Sequence, residues 1–401
     1  MWPVAGGARP PTDAAADLSR DAARLRLSLY YALLFAAVGV QLPFWPVWLA
    51  DRGMSAAEIG VLAAIGYLCR ILVNPVVGHV VDRRGDRRKP MVMLAAIAAL
   101  AWLLFAAADG FPAIFAVTLM ASGLWAAIMP VGDSLALMMA AEWKLDYGRV
   151  RLWGSAAFIV AAILTGRLLL AAPPSVLVWL VAAGLVATAL GCAALPDLRA
   201  PAGHERPVAL RPLLTSLPFL LFLACTALNQ ASHTVYYAFA TLHWRAAGIG
   251  DDVIGLLWSE GVVAEIVLFA VSAPLVRRLG PGGLLMAAGA GGVIRWLALG
   301  ATTQVPLLAA AQLLHAATFG CAHLGAMRFM QRAIPPGLGV RAQGIYAAVA
   351  MGVMPGLMSP LTGWLFQHVG GGAFLAMAVL SLGATAAGWV LLKRWRGGYL
   401  A

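Results

Sequence analysis

Twelve apolar stretches follow one another along the 401 residues, at about 26–50, 57–80, 91–108, 112–140, 152–172, 175–195, 216–243, 253–276, 283–301, 306–330, 341–366 and 372–392. A helix needs about 20 apolar residues to cross a bilayer, so each run is one crossing and the connections are short. Inside hydrocarbon every backbone N–H and C=O must find a partner within the protein, and a helix meets that demand segment by segment. Composition points the same way: 62% of the residues are hydrophobic and 11% are charged, against roughly 25% charged in soluble domains. A water-soluble fold would lack the polar residues to cover its surface, so the lipid bilayer must be that surface. The expected fold is an all-α integral membrane protein of 12 transmembrane helices. Its expected parts are an N-terminal tail (1–25), a six-helix bundle (26–195), a linker (196–215), a second six-helix bundle (216–392) and a C-terminal tail (393–401).

Charge placement supports that division. Cytoplasmic loops of membrane proteins carry an excess of Lys and Arg. Here Arg9, Arg20, Arg24 and Arg26 precede the first run, and Arg83, Arg84, Arg87, Arg88 and Lys89 join the second to the third. Lys144, Arg149 and Arg151 follow the fourth, Arg199, Arg206 and Arg211 lie in the linker, and Arg277 and Arg278 follow the eighth. Arg328, Arg332 and Arg341 surround the next even connection, and Lys393, Arg394 and Arg396 follow the last run. Arg52 and Arg245 fall in the opposite set of loops. Both termini are therefore expected in the cytoplasm, with the chain multi-pass in the cell (inner) membrane. The net charge of +11 needs no nucleic acid, because an anionic cytoplasmic leaflet attracts it equally well. The first residues lack the apolar core of a signal peptide. Cys69, Cys192, Cys225 and Cys321 are scattered through apolar runs without metal-ligand spacing, so no metal is expected.

The two halves repeat. Gly53 to Leu62 matches Gly248 to Leu257 at a shift of 195 residues, and the same shift carries Arg83 to Arg278 and Gly85 to Gly280. Val150, Arg151 and Gly154 meet Val340, Arg341 and Gly344 at a shift of 190. Such parallel repeats describe transporters whose substrate is held at mid-depth and reached by alternating access. The repeat also sets Arg70 opposite Glu265, Asp133 opposite His323, and Gln41 opposite Tyr236.

Five formal charges lie inside apolar runs: Arg70, Asp133, Glu260, Glu265 and Arg295. An ionised side chain at the bilayer centre costs about 2.5–3.5 kcal/mol on insertion scales, so such residues mark partners or a wet cavity. Glu265, near the middle of the eighth run, is the expected protonatable switch, balanced between desolvation and a nearby Arg295; a permanent structural ion pair is the alternative. His315, Phe319 and His323 recur at i, i+4 and i+8 on the tenth run and define one face, and histidine titrates near neutral pH. Asn229, His233, Tyr236 and His243 make a polar stripe on the seventh, with Gln41 answering on the first. Trp45 and Trp48 are expected as interfacial anchors. Asp133 follows Pro130 and Gly132, which can bend a helix; it is open to substrate binding, proton acceptance, or a latch with Arg149 or Arg151.

The connection from Gly78 through Asp82, Arg83 and Gly85 to Arg88 and Lys89 resembles the major facilitator signature between the second and third helices. The pattern is a Gly, an Asp-Arg pair four residues on, a second Gly, then basic residues. Asp82 is suited to cap a helix N-terminus and pair with arginine. In the second half Val276 stands where that aspartate would be. The stretches Leu42-Pro43-Phe44-Trp45, Leu145 to Ser155, Gly261 to Glu265, Ile294-Arg295-Trp296 and His315 to Arg328 resemble one branch of the superfamily. That branch is the 3-phenylpropionate permeases related to lactose and nucleoside proton symporters.

The resemblance implies proton symport of an aromatic carboxylate, with a coupling acid, arginine and histidine on the eighth, ninth and tenth helices. Glu265, Arg295 and His315 or His323 occupy those helices here. Arg70, Gln41, Asn229, His233, Tyr236 and Phe319 are the expected substrate contacts. The chain departs from lactose permease in lacking the acidic residue after that histidine. No cofactor is expected beyond the proton gradient as energy source, and the protein is expected to work as a monomer on a small-molecule substrate. Nucleoside or sugar symport and drug efflux are rivals on the same fold. A membrane-embedded transferase would need a reactive cluster and a large donor-binding loop, whereas these loops are short and basic. A channel would need a pore-lining run of small polar residues.

Overall fold

The structure is a computed structural model that describes residues 19–199, 211–335 and 337–400. Arg9, His204, Glu205 and Arg206, and with them parts of the expected tail and linker, lie outside the described residues. Among the described residues nine helices are long and apolar enough to cross a membrane. The first six are α1 (Arg20–Asp51), α2 (Ala56–Arg84), α3 (Arg88–Ala106), α4 (Gly110–Glu142), α5 (Tyr147–Leu169) and α6 (Val176–Ala193).

Two of the nine exceed one crossing. Asp251–Ala301 has 51 residues and Arg341–Arg394 has 54, which at 1.5 Å per residue would be roughly 77 and 81 Å, against a hydrocarbon core of about 30 Å. Each is interrupted by a glycine whose backbone other residues rarely adopt. Gly280 (φ 61°, ψ −179°) divides the first into α8 (251–279) and α9 (281–301). Gly370 (φ 53°, ψ −129°) ends α11 (341–369) ahead of α12 (Ala373–Arg394). Between α9 and α11 runs α10 (Val305–Ala333). The remaining helix, α7, is built of Leu217–Ala231 and Thr234–Ala246, with a break at Ser232 and His233. Counted this way, the architecture is consistent with twelve crossings.

The repeat is visible in the backbone. Gly53 and Gly248 have φ of 76° and 82°, and Gly85 and Gly280 have φ of 68° and 61°. Both pairs are 195 residues apart, so turns at equivalent points of the two halves use glycine for the same conformational reason.

The described residues fall into two compact units, 19–45, 69–162 and 172–199 in the first, and 46–68, 163–171, 211–335 and 337–400 in the second. In the first, Trp45 stacks edge-on against Trp102 and Phe105 at 4.4 and 4.7 Å. Trp45, and in the second unit Trp48, are both buried, which corrects the expectation of interfacial anchors. Pro130 cannot donate to the carbonyl of Ala126, and α4 is interrupted there, between Gly110–Ala126 and Ile128–Glu142. The core of the second unit holds Phe222, stacked on Phe329 at 4.5 Å and packed beside Tyr346 at 5.5 Å. Small residues let α9 and α12 approach closely: a Cβ on Gly292 would lie 2.5 Å from Ser381 Oγ. Large apolar side chains face outward, Leu72, Leu190, Leu357 and Val379 each at least 66% exposed, as lipid rather than water requires.

Candidate functional site

The strongest polar constellation lies in the second unit around Arg295 on α9. Its side chain is completely buried. A charge in such surroundings must be compensated, because removing an ion from water costs several kcal/mol even after relaxation. Nη2 donates to Gln312 Oε1 at 2.8 Å, and Nη1 donates to Thr318 Oγ1 at 3.1 Å and contacts His315 Nδ1 at 3.0 Å. The guanidinium also lies over the Tyr236 ring at 4.5 Å and the Trp296 ring at 4.9 Å. These three hydrogen-bonding partners are all neutral groups.

The arginine decides the state of the histidine. A guanidinium has only donors, so His315 Nδ1 accepts and the ring proton sits on Nε2. Nε2 lies 3.6 Å from Glu265 Oε2 on α8, an ion-pair distance that is longer than a hydrogen bond. Arg295, His315 and Glu265 therefore form one line: cation, neutral imidazole, carboxylate. Glu265 is the partly open end of it, with its side chain 19% exposed against 11% for His315.

Local backbone chemistry builds this line. Residues Ala316–Cys321 of α10 form a π-helical turn directly after His315, a distortion that recurs at functional sites because it rotates the following residues out of register. His315 and Thr318 both reach Nη1 of Arg295 across that turn. Gly261 leaves room for the imidazole: a Cβ there would sit 3.3 Å from the Cβ of His315.

The same turn divides the face expected from i, i+4 and i+8 spacing. His315 and Phe319 stack at 5.4 Å and 13°, but His323 is exposed, with its ring edge-on to Phe269 at 6.0 Å. His323, Phe319 and Asn229 instead line a crevice of only about 10 Å³ with Gln230, Tyr346 and Met351. Asn229 donates to the Thr318 carbonyl at 2.9 Å, and its own carbonyl meets His233 Nδ1 at 2.8 Å. His233 packs edge-on against Trp296 at 5.0 Å. Tyr236, His233 and Asn229 of the seventh-helix stripe thus converge on the Arg295 region, while half-buried His243 lies farther along α7 beside Phe374 at 6.0 Å.

A second constellation lies in the first unit. Asp133 Oδ1 on α4 accepts from the Tyr31 hydroxyl at 2.6 Å and the Tyr147 hydroxyl at 3.3 Å. Arg151 stacks over Phe35 at 3.9 Å and over Tyr31 at 5.2 Å. Among the described residues Asp133 forms no ion pair with Arg149 or Arg151, so the latch considered from sequence is replaced by a pair of tyrosines. Gln41 is half-buried on α1, and Arg70 is exposed on α2.

The α2–α3 connection uses its charges differently from the expectation. Gly85 makes the turn with φ 68°. Asp82 pairs with Arg87 at 3.2 Å, and Arg87, only 6% exposed, also donates from Nε to Ser134 Oγ on α4 at 2.7 Å. The cap on α3 comes from Asp86, whose Oδ1 accepts the Lys89 N–H at 3.2 Å. Arg88 donates to the Leu195 carbonyl at 3.3 Å, whereas Arg83 is exposed and a Cβ on Gly78 would meet nothing within 4 Å. Gln312, Thr318, Tyr31, Tyr147 and Arg87 were not among the expected site residues. Gln312 carried a signal, an amide inside an apolar run one turn before His315; the others needed the fold.

Residues 24–376 match the model of the family described as MFS_1 like. The chain belongs to that family. It is a major facilitator transporter, not an enzyme, and a multi-pass membrane protein. It is 35% identical over 362 residues to the probable 3-phenylpropionic acid transporter of Escherichia coli K12, covering 89% of this chain and 95% of that protein. It is 28% identical to the maltose permease of Geobacillus stearothermophilus, covering 85% and 87% of the two chains. Among solved structures, the crystal structure of the nucleoside transporter NupG superposes with a TM-score of 0.77 at 16% identity, over 93% of this chain and 99% of that one.

Proposed function

We propose that this transporter couples the uptake of a small aromatic carboxylate, of the 3-phenylpropionate type, to the entry of a proton by alternating access. The observation that carries the reading is the line Arg295–His315–Glu265. A buried guanidinium held by neutral partners attracts an anion, and the Glu265 carboxylate is separated from it by an imidazole. Protonating Glu265 removes the internal counter-charge and leaves Arg295 to the substrate carboxylate; releasing the proton restores the internal balance and expels the anion. Tyr236, Trp296 and Phe319 supply aromatic walls beside that charge. The 35% identical relative, named for 3-phenylpropionic acid, supports the same substrate class.

In this reading the proton gradient is the energy source and no cofactor takes part. The protein acts as a monomer in the inner membrane with both termini in the cytoplasm, an orientation that rests on the Lys and Arg distribution. Asp133, Arg70 and Gln41 are further polar groups available to substrate or proton, and the Asp82–Arg87 pair is a candidate gating contact. The test is uptake of labelled 3-phenylpropionate into proteoliposomes, with and without an imposed proton gradient, beside uridine and maltose. Gradient-driven accumulation of the aromatic acid alone is expected. Accumulation indifferent to the gradient, or preference for uridine or maltose, overturns the proposal.

A further inference from the structure

We infer that Gln312 is a positioning residue that sets anion specificity: its neutral amide fixes the Arg295 guanidinium without cancelling its charge. The inference rests on the reading of Arg295 as the carboxylate site. Gln312 lies on α10, completely buried. Its Oε1 accepts from Arg295 Nη2 at 2.8 Å, while its Nε2 donates to the Tyr236 hydroxyl at 2.7 Å and to the Leu257 carbonyl at 2.9 Å.

Both amide hydrogens and the amide oxygen are thus engaged, which fixes the orientation. A flipped amide would set its hydrogens against the guanidinium, donor to donor, and its oxygen against the Leu257 carbonyl, acceptor to acceptor. The three partners come from α7, α8 and α9, so one side chain of α10 holds the guanidinium and the Tyr236 hydroxyl in a single arrangement.

Chemical identity at this position matters more than shape. Glutamate has the outline of glutamine and would place a carboxylate oxygen 2.8 Å from the guanidinium, where a permanent ion pair forms. The Arg295 charge would then be spent inside the protein in every state. With glutamine, the guanidinium keeps its full charge, and the carboxylate that balances it, Glu265, stands on the far side of His315. A proton can remove that balance, whereas a directly bound carboxylate at 312 would stay in place. The amide is what leaves the site selective for anions.

The experiment compares binding of 3-phenylpropionate and its neutral amide, 3-phenylpropionamide, to the purified full chain in nanodiscs by titration calorimetry. The wild type is expected to favour the acid. Gln312→Glu should lower affinity for the acid by on the order of 100-fold, the scale on which a buried charge pair competes, while the amide changes little. Gln312→Met keeps the volume, removes the hold and adds no charge; it should reduce the acid-to-amide preference by on the order of 10-fold, and it tests the inference if the glutamate variant does not fold. A wild-type preference retained in both variants, or in Gln312→Met alone where that is the folded one, overturns the role of Gln312 and leaves Arg295 as the anion site. A wild type that binds amide and acid alike overturns the carboxylate reading of Arg295, and the inference with it.

Discussion

Replacing Glu265 by glutamine imitates the protonated carboxyl permanently, and the structure gives the size of the effect. The contacts Arg295–His315 and His315–Glu265 are 3.0 and 3.6 Å. With the width of the imidazole between them, guanidinium and carboxylate are at most about 9 Å apart, where two unit charges at an effective dielectric of about 20 attract by about 2 kcal/mol. Removing the carboxylate frees that much positive potential for a bound anion, equivalent to about 30-fold tighter binding of 3-phenylpropionate. Binding should also lose its dependence on pH through this group, because the proton-binding carboxyl is gone. Transport should separate into two behaviours in proteoliposomes. Exchange of external labelled substrate for internal unlabelled substrate needs no net proton movement and should persist. Uphill accumulation needs the proton to leave and should fall to simple equilibration. One proton entering with one carboxylate moves no net charge, so the membrane potential cancels and only the pH difference drives accumulation. A pH unit supplies about 1.4 kcal/mol, and the wild type has a ceiling of about 10-fold to lose. A Glu265→Gln protein that still concentrates substrate on a proton gradient would refute the assignment of coupling to this residue. Unchanged affinity would refute the electrostatic link through His315.

Two further outcomes test the scaffold. Tyr31→Phe removes the 2.6 Å bond to Asp133 and should cost about 1–3 kcal/mol, read as a lower thermal midpoint in detergent; Tyr147→Phe, losing a 3.3 Å bond, should cost less, and the reverse order would argue against the Tyr31 contact as the stronger. Gly280→Ala forces a side chain into φ 61°, ψ −179°, a region kept almost wholly for glycine, and should cost about 1–3 kcal/mol. That loss should appear in the same thermal assay although a Cβ there would touch nothing within 4 Å, because the penalty is in the backbone rather than in packing.

Much of the site was legible because a membrane makes charge conspicuous. Glu265 and Arg295 stood out as ions in apolar runs, but their connection through His315 rather than His323 needed the fold. Asp133 stood out for the same reason, but its partners did not. Tyr31 and Tyr147 are ordinary residues for a span or a helix start, and only packing brings both hydroxyls to one carboxylate oxygen. Arg87 was one of five basic residues in a row of loop charges; what distinguishes it is burial against Ser134, a contact with a helix more than forty positions away. His323 failed the expectation of a shared face because a periodic argument assumes 3.6 residues per turn, and α10 departs from that with a π-helical turn at Ala316–Cys321.

The sequence alone determined that lipid is the solvent, and it pointed to about twelve crossings and to a repeat between two halves. Hydrophobic length, charge asymmetry and a 195-residue repeat are local or additive properties, and the glycines at 53, 85, 248 and 280 carry the repeat into the backbone. Tertiary structure decided which charges compensate one another. A hydrogen bond of 2.8 Å depends on where two helices pack and on the turn geometry between them, and no pattern along the chain fixes that. The amide of Gln312 is the clearest case: one polar residue in an apolar run by sequence, and by structure a buried group bonded at once to Arg295, Tyr236 and the Leu257 carbonyl.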